Sequence, residues 1–363
     1  MTATDTEKPV NDSLMADVRD AIAGRAFWLV AGVLLLQFAF ILSYVGAFHD
    51  PGLHRVSMDV VAPGDAGPRL VQQLNAMTGE PIDAEVVADA ETARENVESG
   101  FTRSALIVDP TSTTDVLYVA GGAGASLTTA IQELMTAVEQ RQNRQLTVVD
   151  VAPVQDGDAR GLTAFYLVVG WIVGGYLAAA VLGVSRGSRA ATRQRAVIRL
   201  AAMVPYAIVS GLLGAVIVDP VLGALTGRFA EIAGIGALLV FCAAAVTMAL
   251  QVLFGLVGVG VTLIVFVIWG NPSAGGAFAT EMLPTFWRET GPWLPSGAGV
   301  SAIRDVVYFD SNGLDRPLLT IAVWAIAGML IMLVGSSLLH RRGRLSGFDG
   351  GPAPIEEPRP NDA

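Results

Sequence analysis

Long uninterrupted apolar runs alternate with polar stretches along this chain. Six runs approach the ~20 residues needed to cross a hydrocarbon core of ~30 Å at 1.5 Å per residue. They are residues 27–48, 162–184, 200–219, 232–250, 252–270 and 318–339. None has an Asp, Glu, Lys or Arg in its interior. The first, AFWLVAGVLLLQFAFILSYVGAF, is too long for a signal peptide and lacks a cleavage-site pattern. Phe27 and Trp28 at one end, and Tyr44 and Phe48 at the other, suit the aromatic belts at membrane interfaces. Only a few residues around Gln251 separate the fourth run from the fifth.

Residues 49–161 have a different pattern. Strand-like stretches HRVSMDVVA, IDAEVVAD, RSALIVDP, TDVLYVA and QLTVVDVAP are interleaved with helix-like PRLVQQLNAMTG, AETARENVESG and SLTTAIQELMTAVEQRQN. In the last, Leu127, Ile131, Leu134, Met135 and Val138 recur at helical spacing. This alternation predicts a small α/β domain inserted between the first two spans. In residues 271–317, Pro272, Pro284, Pro292 and Pro295 break any long helix. Phe286, Trp287 and Trp293 suit a membrane surface, so short re-entrant or surface-lying helices are expected there. Ahead of the first span, SLMADVRDAIAGR (13–25) reads as an amphipathic interface helix. Ser13 would be its N-cap, and Leu14, Val18 and Ile22 its apolar face. The tails 1–12 and 347–363 are rich in Pro, Asp, Glu and Gly and read as disordered, the second within a terminal segment 340–363.

Arginine placement orients the spans. The loop 185–199 holds Arg186, Arg189, Arg193, Arg195 and Arg199 with no acid. Arg19 and Arg25 precede the first span, and Arg341, Arg342 and Arg344 come after the last. By the positive-inside rule these stretches are cytoplasmic. The expected fold is an α-helical polytopic membrane protein. It has six transmembrane helices, both termini in the cytoplasm, and an extracytoplasmic α/β domain at 49–161. The arginine loop itself reads either as plain topology, with contacts to membrane lipid, or as a docking surface for a cytoplasmic partner.

Composition narrows the chemistry. Charged residues make up 15% of 363, against about 25% in an average soluble domain. The mean hydropathy is +0.53. A net charge of −10 argues against nucleic acid as a partner. One cysteine, Cys242, allows no intrachain disulfide, and with His49, His54 and His340 it makes no Cys/His zinc site. His49 and His54 flank the entrance of the α/β domain, and a metal site there would need further ligands.

The stretch VLYVAGGAGASLTTAI (116–131) has the strand, glycine turn and helix order of a phosphate-binding loop. A dinucleotide fingerprint needs a third glycine where Leu127 stands, and a P-loop needs a lysine, whereas the only lysine is Lys8. Gly121, Gly122 and Gly124 are therefore expected to form a tight turn, with Ser126 capping the next helix. No catalytic triad or metalloprotease motif is present, and no cofactor is expected. The spans carry no ionisable residue for a proton relay, so uphill transport would draw its energy from another chain.

The order of one span, a large α/β domain and five further spans, with an amphipathic entry helix, resembles the membrane subunit of a type-2 ABC exporter. The subgroup that it resembles carries its large domain between the first two spans, as in the phage-infection-protein-like membrane proteins of Gram-positive bacteria. DAETARENVESGFTRSALIVDP (89–110), VLYVAGGAGASL (116–127) and LPSGAGVSAIRDVVYFDSNG (294–313) carry the likeness.

The resemblance implies a bacterial plasma-membrane protein working as a homodimer or heterodimer of permease subunits. A separate cytoplasmic ABC ATPase would bind at 13–25 (Leu14, Val18, Ile22) and 185–199 (Arg186, Arg189, Arg193, Arg195). The implied cargo is amphipathic or envelope-related. The implied outer gate lies within 279–309, where Trp293, Pro295, Gly297, Gly299, Arg304 and Asp305 are its candidates. Arg304 and Asp305 read either as a charged pair of that gate or as solvated helix residues. The other functional reading is a non-transporting receptor or envelope-organising protein that acts through its α/β domain.

Overall fold

The computed structural model describes residues 24–186 and 193–346. Five of their helices are long and apolar enough to cross a membrane. These are α1 (Gly24–Phe48), α5 (Thr163–Arg186), α6 (Arg193–Val216), α7 (Phe229–Phe254) and α11 (Asp315–Ser346). The sixth apolar run behaves differently. Helix α7 continues through Gln251, which is buried, and breaks only at Gly255, whose φ is +65°. Beyond this break lies α8 (Val257–Leu263), extended by a wide π-type turn over Ile264–Gly270. The two together make an apolar helix of 14 residues, Val257–Gly270. At 1.5 Å per residue that is ~21 Å, shorter than the ~30 Å core.

Helix α7 is the hub of the bundle, packing against α5, α6 and α11. Its packed faces are lined by small side chains, among them Cys242, Ala243, Ala244, Ala245 and Ala249, all buried. Small residues let helix backbones approach closely, which is how helices associate where lipid removes the hydrophobic drive. On α11, a Cβ added at Gly328 would stand 2.8 Å from the Ala245 backbone. Helix α1 stands at the edge. It leans on residues 264–274 and leaves Trp28, Val30, Leu35 and Leu42 exposed.

The sheet domain has the predicted alternation. Strands β1 (Val56–Val61), β2 (Ile82–Val86), β3 (Ser104–Ile107), β4 (Thr114–Val119) and β5 (Gln145–Asp150) form one sheet of order β2-β1-β3-β4-β5. All neighbours are parallel except β3 and β4. Helices α2 (Ala66–Asn75), α3 (Ala90–Glu98) and α4 (Ala125–Arg141) connect them. Asp89 caps α3, accepting from the Thr92 amide. The core is Val56, Met58, Val60, Leu106, Leu117, Leu127, Ile131 and Met135, the alternate positions of the strands against the apolar face of α4.

This core is not closed by residues 49–161 alone. Ala279, Met282 and Phe309, from the segment after α8, are buried within it. That segment carries α9 (Thr285–Thr290) and α10 (Pro295–Tyr308) among short turns, as its prolines predict.

Candidate functional site at the joint

Helix α10 connects the two halves of the molecule. Its first half is wedged into the bundle. A Cβ on Gly299 would stand 2.9 Å from both Leu239 of α7 and Val168 of α5, and one on Gly297 would run into the Gly291 carbonyl. Its second half reaches the sheet domain. There Arg304 is 8% exposed, so it is not a solvated helix residue.

Around Arg304 lies a polar cluster drawn from four parts of the chain, buried at Arg304 and Asp158 and half-buried at Arg103 and Glu281. Arg103, just ahead of β3, donates through Nε to Glu281 Oε1 at 2.8 Å. Asp158, 1% exposed in the link between β5 and α5, accepts from the Thr163 amide at 2.8 Å and from the Tyr308 hydroxyl at 2.5 Å. Arg304 donates one long bond, 3.4 Å, to the Gly161 carbonyl, while its Nε has no partner among the described residues. The backbone is stitched along the same line, with Gly52 and His54 donating to the carbonyls of Met282 and Glu281. Gln155 exchanges bonds with Thr226 in the loop before α7, and Asn312 donates to the Ser99 carbonyl. Arg228 and Asp310 form an ion pair.

The glycine turn belongs to this joint. Gly121–Ala123 make a single tight turn, and α4 starts at Ala125 with Gly124 as N-cap at φ +135°. Ser126 therefore lies inside the helix and does not cap it, contrary to the sequence expectation. Gly122 is required by close approach, because a Cβ there would stand 2.6 Å from that of Tyr308. The turn is a seat for α10, with no lysine near it among the described residues.

The electrostatics are a consequence of burial. Two cations, Arg103 and Arg304, face two acids, Glu281 and Asp158, with Asp305 as a third acid beside them. Burial would raise the Glu281 carboxyl, but Arg103 and Arg304 outweigh it and hold the group below its usual range. Burial pushes Asp305 up from its ordinary 3.8 to about 6, with both arginines opposing only in part. With Asp305 protonated the cluster is neutral. The Tyr308 hydroxyl is raised, first by burial and then by its bond to the Asp158 carboxylate. A buried, mutually compensated set of charges costs several kcal/mol per ion to desolvate, so losing one member leaves the rest uncompensated.

The other expected site residues separate into three groups. Trp293 stands at the flank, 62% exposed, with the Arg316 guanidinium 5.1 Å over its ring and its carbonyl accepting from Trp324. Pro295, Gly297 and Gly299 are buried packing residues of α10. Arg193 and Arg195 are exposed at the start of α6, and Arg186 ends α5. Leu14, Val18, Ile22 and Arg189 lie outside the described residues. Helix α5 leaves the joint at Thr163 and runs 24 residues, ~36 Å, so the arginine-bearing helix ends lie at the opposite end of the bundle. Among the described residues no cluster of three or more His, Cys, Asp or Glu side chains could hold a metal ion, at His49 and His54 or elsewhere.

Sequence reasoning missed Arg103, Glu281, Asp158 and Tyr308. Each is a lone polar residue in an unremarkable context, and only folding brings them together. A groove of about 770 Å³ also opens between α5 and α6, lined by Tyr166, Leu167, Gly170, Trp171, Tyr206 and Leu213. Comparison with protein-family models, with curated proteins and with solved structures finds no match to this chain.

Proposed function

We propose that this chain is the membrane subunit of a type-2 ATP-driven exporter in a bacterial plasma membrane. It moves an amphipathic or envelope-related substrate outward, pairs with a second membrane subunit, and draws its energy from a separate cytoplasmic ATPase. Both termini face the cytoplasm, the sheet domain stands outside, and Val257–Gly270 serves as a sixth, half-depth crossing that turns back through α9 and α10.

The observation that carries this reading is α10, buried at one end in the bundle and at the other in the charged joint. A helix held from both sides transmits a movement of α5 or α7 to the sheet domain as a rigid lever. Two further features support it. Arg193 and Arg195 sit at the bundle end farthest from the joint, where a cytoplasmic ATPase would push. The α5–α6 groove is mostly apolar in lining with a few polar groups, which suits an amphipathic cargo.

The test is purification of the full chain from native membranes. A stoichiometric ATPase is expected to copurify, and Arg193→Glu combined with Arg195→Glu is expected to release it. Absence of any ATPase, with no phenotype for the double variant, sinks the proposal.

A further inference from the structure

The joint fixes which end of the sheet faces the bundle. Arg103 precedes β3 and His54 precedes β1, and both bond to residue 281. The carboxyl ends of β1 and β3 therefore point away from the bundle. These two strands are also where the connections diverge, since β1 leads outward to β2 while β3 leads the other way to β4. In open α/β sheets, ligands bind in the crevice beyond the carboxyl ends of the strands at such a switch point.

A cavity of about 290 Å³ lies at that place. Ala62 and Val108, just beyond β1 and β3, line it, with Ala66 and Leu70 of α2. Its polar side is Asp115, Glu139 and Arg144, with Arg69, Gln73 and Gln142 around them. Asp115 is 1% exposed and well satisfied, accepting from the Asp109 amide and from two nitrogens of Arg144. Glu139 is 2% exposed, and its Oε2 has no hydrogen-bond partner among the described residues. Its nearest cation is Arg144 Nε at 3.9 Å, already engaged by Asp115. The Asp115 carboxyl also faces it, close enough to share a proton, Asp109 from the loop after β3 acts on Arg144, and Arg69 of α2, 77% exposed, lines the cavity. Two buried acids thus share one arginine. An uncompensated buried carboxylate is too costly to persist, so the missing positive charge arrives either as a proton or as a ligand.

The geometry points to a small-molecule site in this cavity that takes a primary ammonium group on a short apolar body. The ammonium sits against Glu139, and the body lies against Ala62, Ala66, Leu70 and Val108. An ammonium supplies three donors and one positive charge, which is what Glu139 lacks. Without the ammonium a proton takes its place, since burial first and the Asp115 charge second push Glu139 up to about 7. Ligand and proton then compete for one carboxylate. The inference is independent of whether the chain transports anything.

The test uses the full chain in nanodiscs with n-butylamine as the probe, and 1-butanol as the uncharged control of similar shape, with binding read by ligand-observed NMR. Binding of butylamine is expected to tighten about tenfold per pH unit up to about pH 7 and then level off. Glu139→Gln is expected to weaken it tenfold or more. Ala66→Phe, at an exposed position on the cavity wall, is expected to abolish it while leaving the charges in place. Butanol binding as tightly as butylamine overturns the proposal. So does a Glu139→Gln protein that binds butylamine unchanged, or folded wild-type protein that binds none at tens of millimolar. If Glu139→Gln fails to fold, the pH profile and Ala66→Phe still decide.

Discussion

The two ends of the sheet domain carry the same kinds of side chain in opposite arrangements. At the bundle end, Arg103, Arg304, Glu281 and Asp158 come from different parts of the chain and set two cations against two acids, with Asp305, raised to about 6, beside them. At the far end, Asp115, Glu139 and Arg144 come from one crossover unit, β4-α4-β5, and leave an acid over. The first arrangement closes a contact between two halves of the molecule, with cations and acids paired across it. The second is open on a cavity and short of a cation. Burial alone therefore does not distinguish a structural charge from a binding one, whereas the local charge balance does.

The largest effect should come from breaking the balanced end. Arg304→Leu leaves Glu281, Asp158 and Asp305 facing Arg103 alone, and removing one member of a buried set costs about 3–5 kcal/mol. We expect a lower melting temperature and rapid protease cleavage in the links at 50–55 and 154–161, with the helical bundle itself intact by circular dichroism. Unchanged protease resistance would show that the joint is held by its apolar contacts. Gly122→Ala should come next. The added Cβ meets Tyr308, and overpacking of this kind costs about 1–3 kcal/mol. Tyr308→Phe should lose about 1–3 kcal/mol, because the buried Asp158 oxygen loses its donor. The same links should become more sensitive to protease in both variants.

The two ends also predict the pH response. Both Asp305 and Glu139 are raised in the folded protein, so the folded state binds more protons than the unfolded one between the two values. Stability then falls as pH rises, from about 4 to about 6 for Asp305 and from about 4.5 to about 7 for Glu139. Asp305→Asn should flatten the lower part of the melting-temperature profile and Glu139→Gln the upper part. A profile unmoved by either variant would mean that both acids stay ionised in the fold.

Much of the architecture was legible in the sequence, and the reasons are physical. Strand alternation and the 3.6-residue spacing of Leu127, Ile131, Leu134 and Val138 are local signals, so the sheet domain's elements lie where they are expected. The long apolar runs give α1, α5, α6, α7 and α11 for the same reason. The fifth run is shorter as a helix than its hydropathy suggests, because hydropathy does not register a glycine at positive φ. Gly255 turns the chain four residues past Gln251 and shortens the next apolar helix to 14 residues. The joint was half legible. Arg304 reads with Asp305 as a charged pair of the outer gate that the resemblance implies, but its burial depends on Gly124, Gly161 and Glu281, far away in sequence. The Glu139 site was not legible, since Glu in a helix that ends in Arg reads as a solvated face until α4 is docked on the sheet.

The smallest effect provides the control for the whole comparison. Arg55 and Asp83 also form an ion pair, at 3.0 Å, on the exposed edge between β1 and β2. Water screens it, and holding two long side chains in one geometry offsets most of the attraction. Asp83→Asn should leave the melting temperature and the protease pattern indistinguishable from wild type. The joint and the distal acids would lose their special standing if Asp83→Asn moved the melting temperature as far as Arg304→Leu. Pair geometry would then set the energetics, with charge balance in a buried site contributing nothing further. With Asp83→Asn silent, a large shift in Arg304→Leu belongs to burial without compensation. The same reasoning makes the lone oxygen of Glu139 a demand for a positive charge.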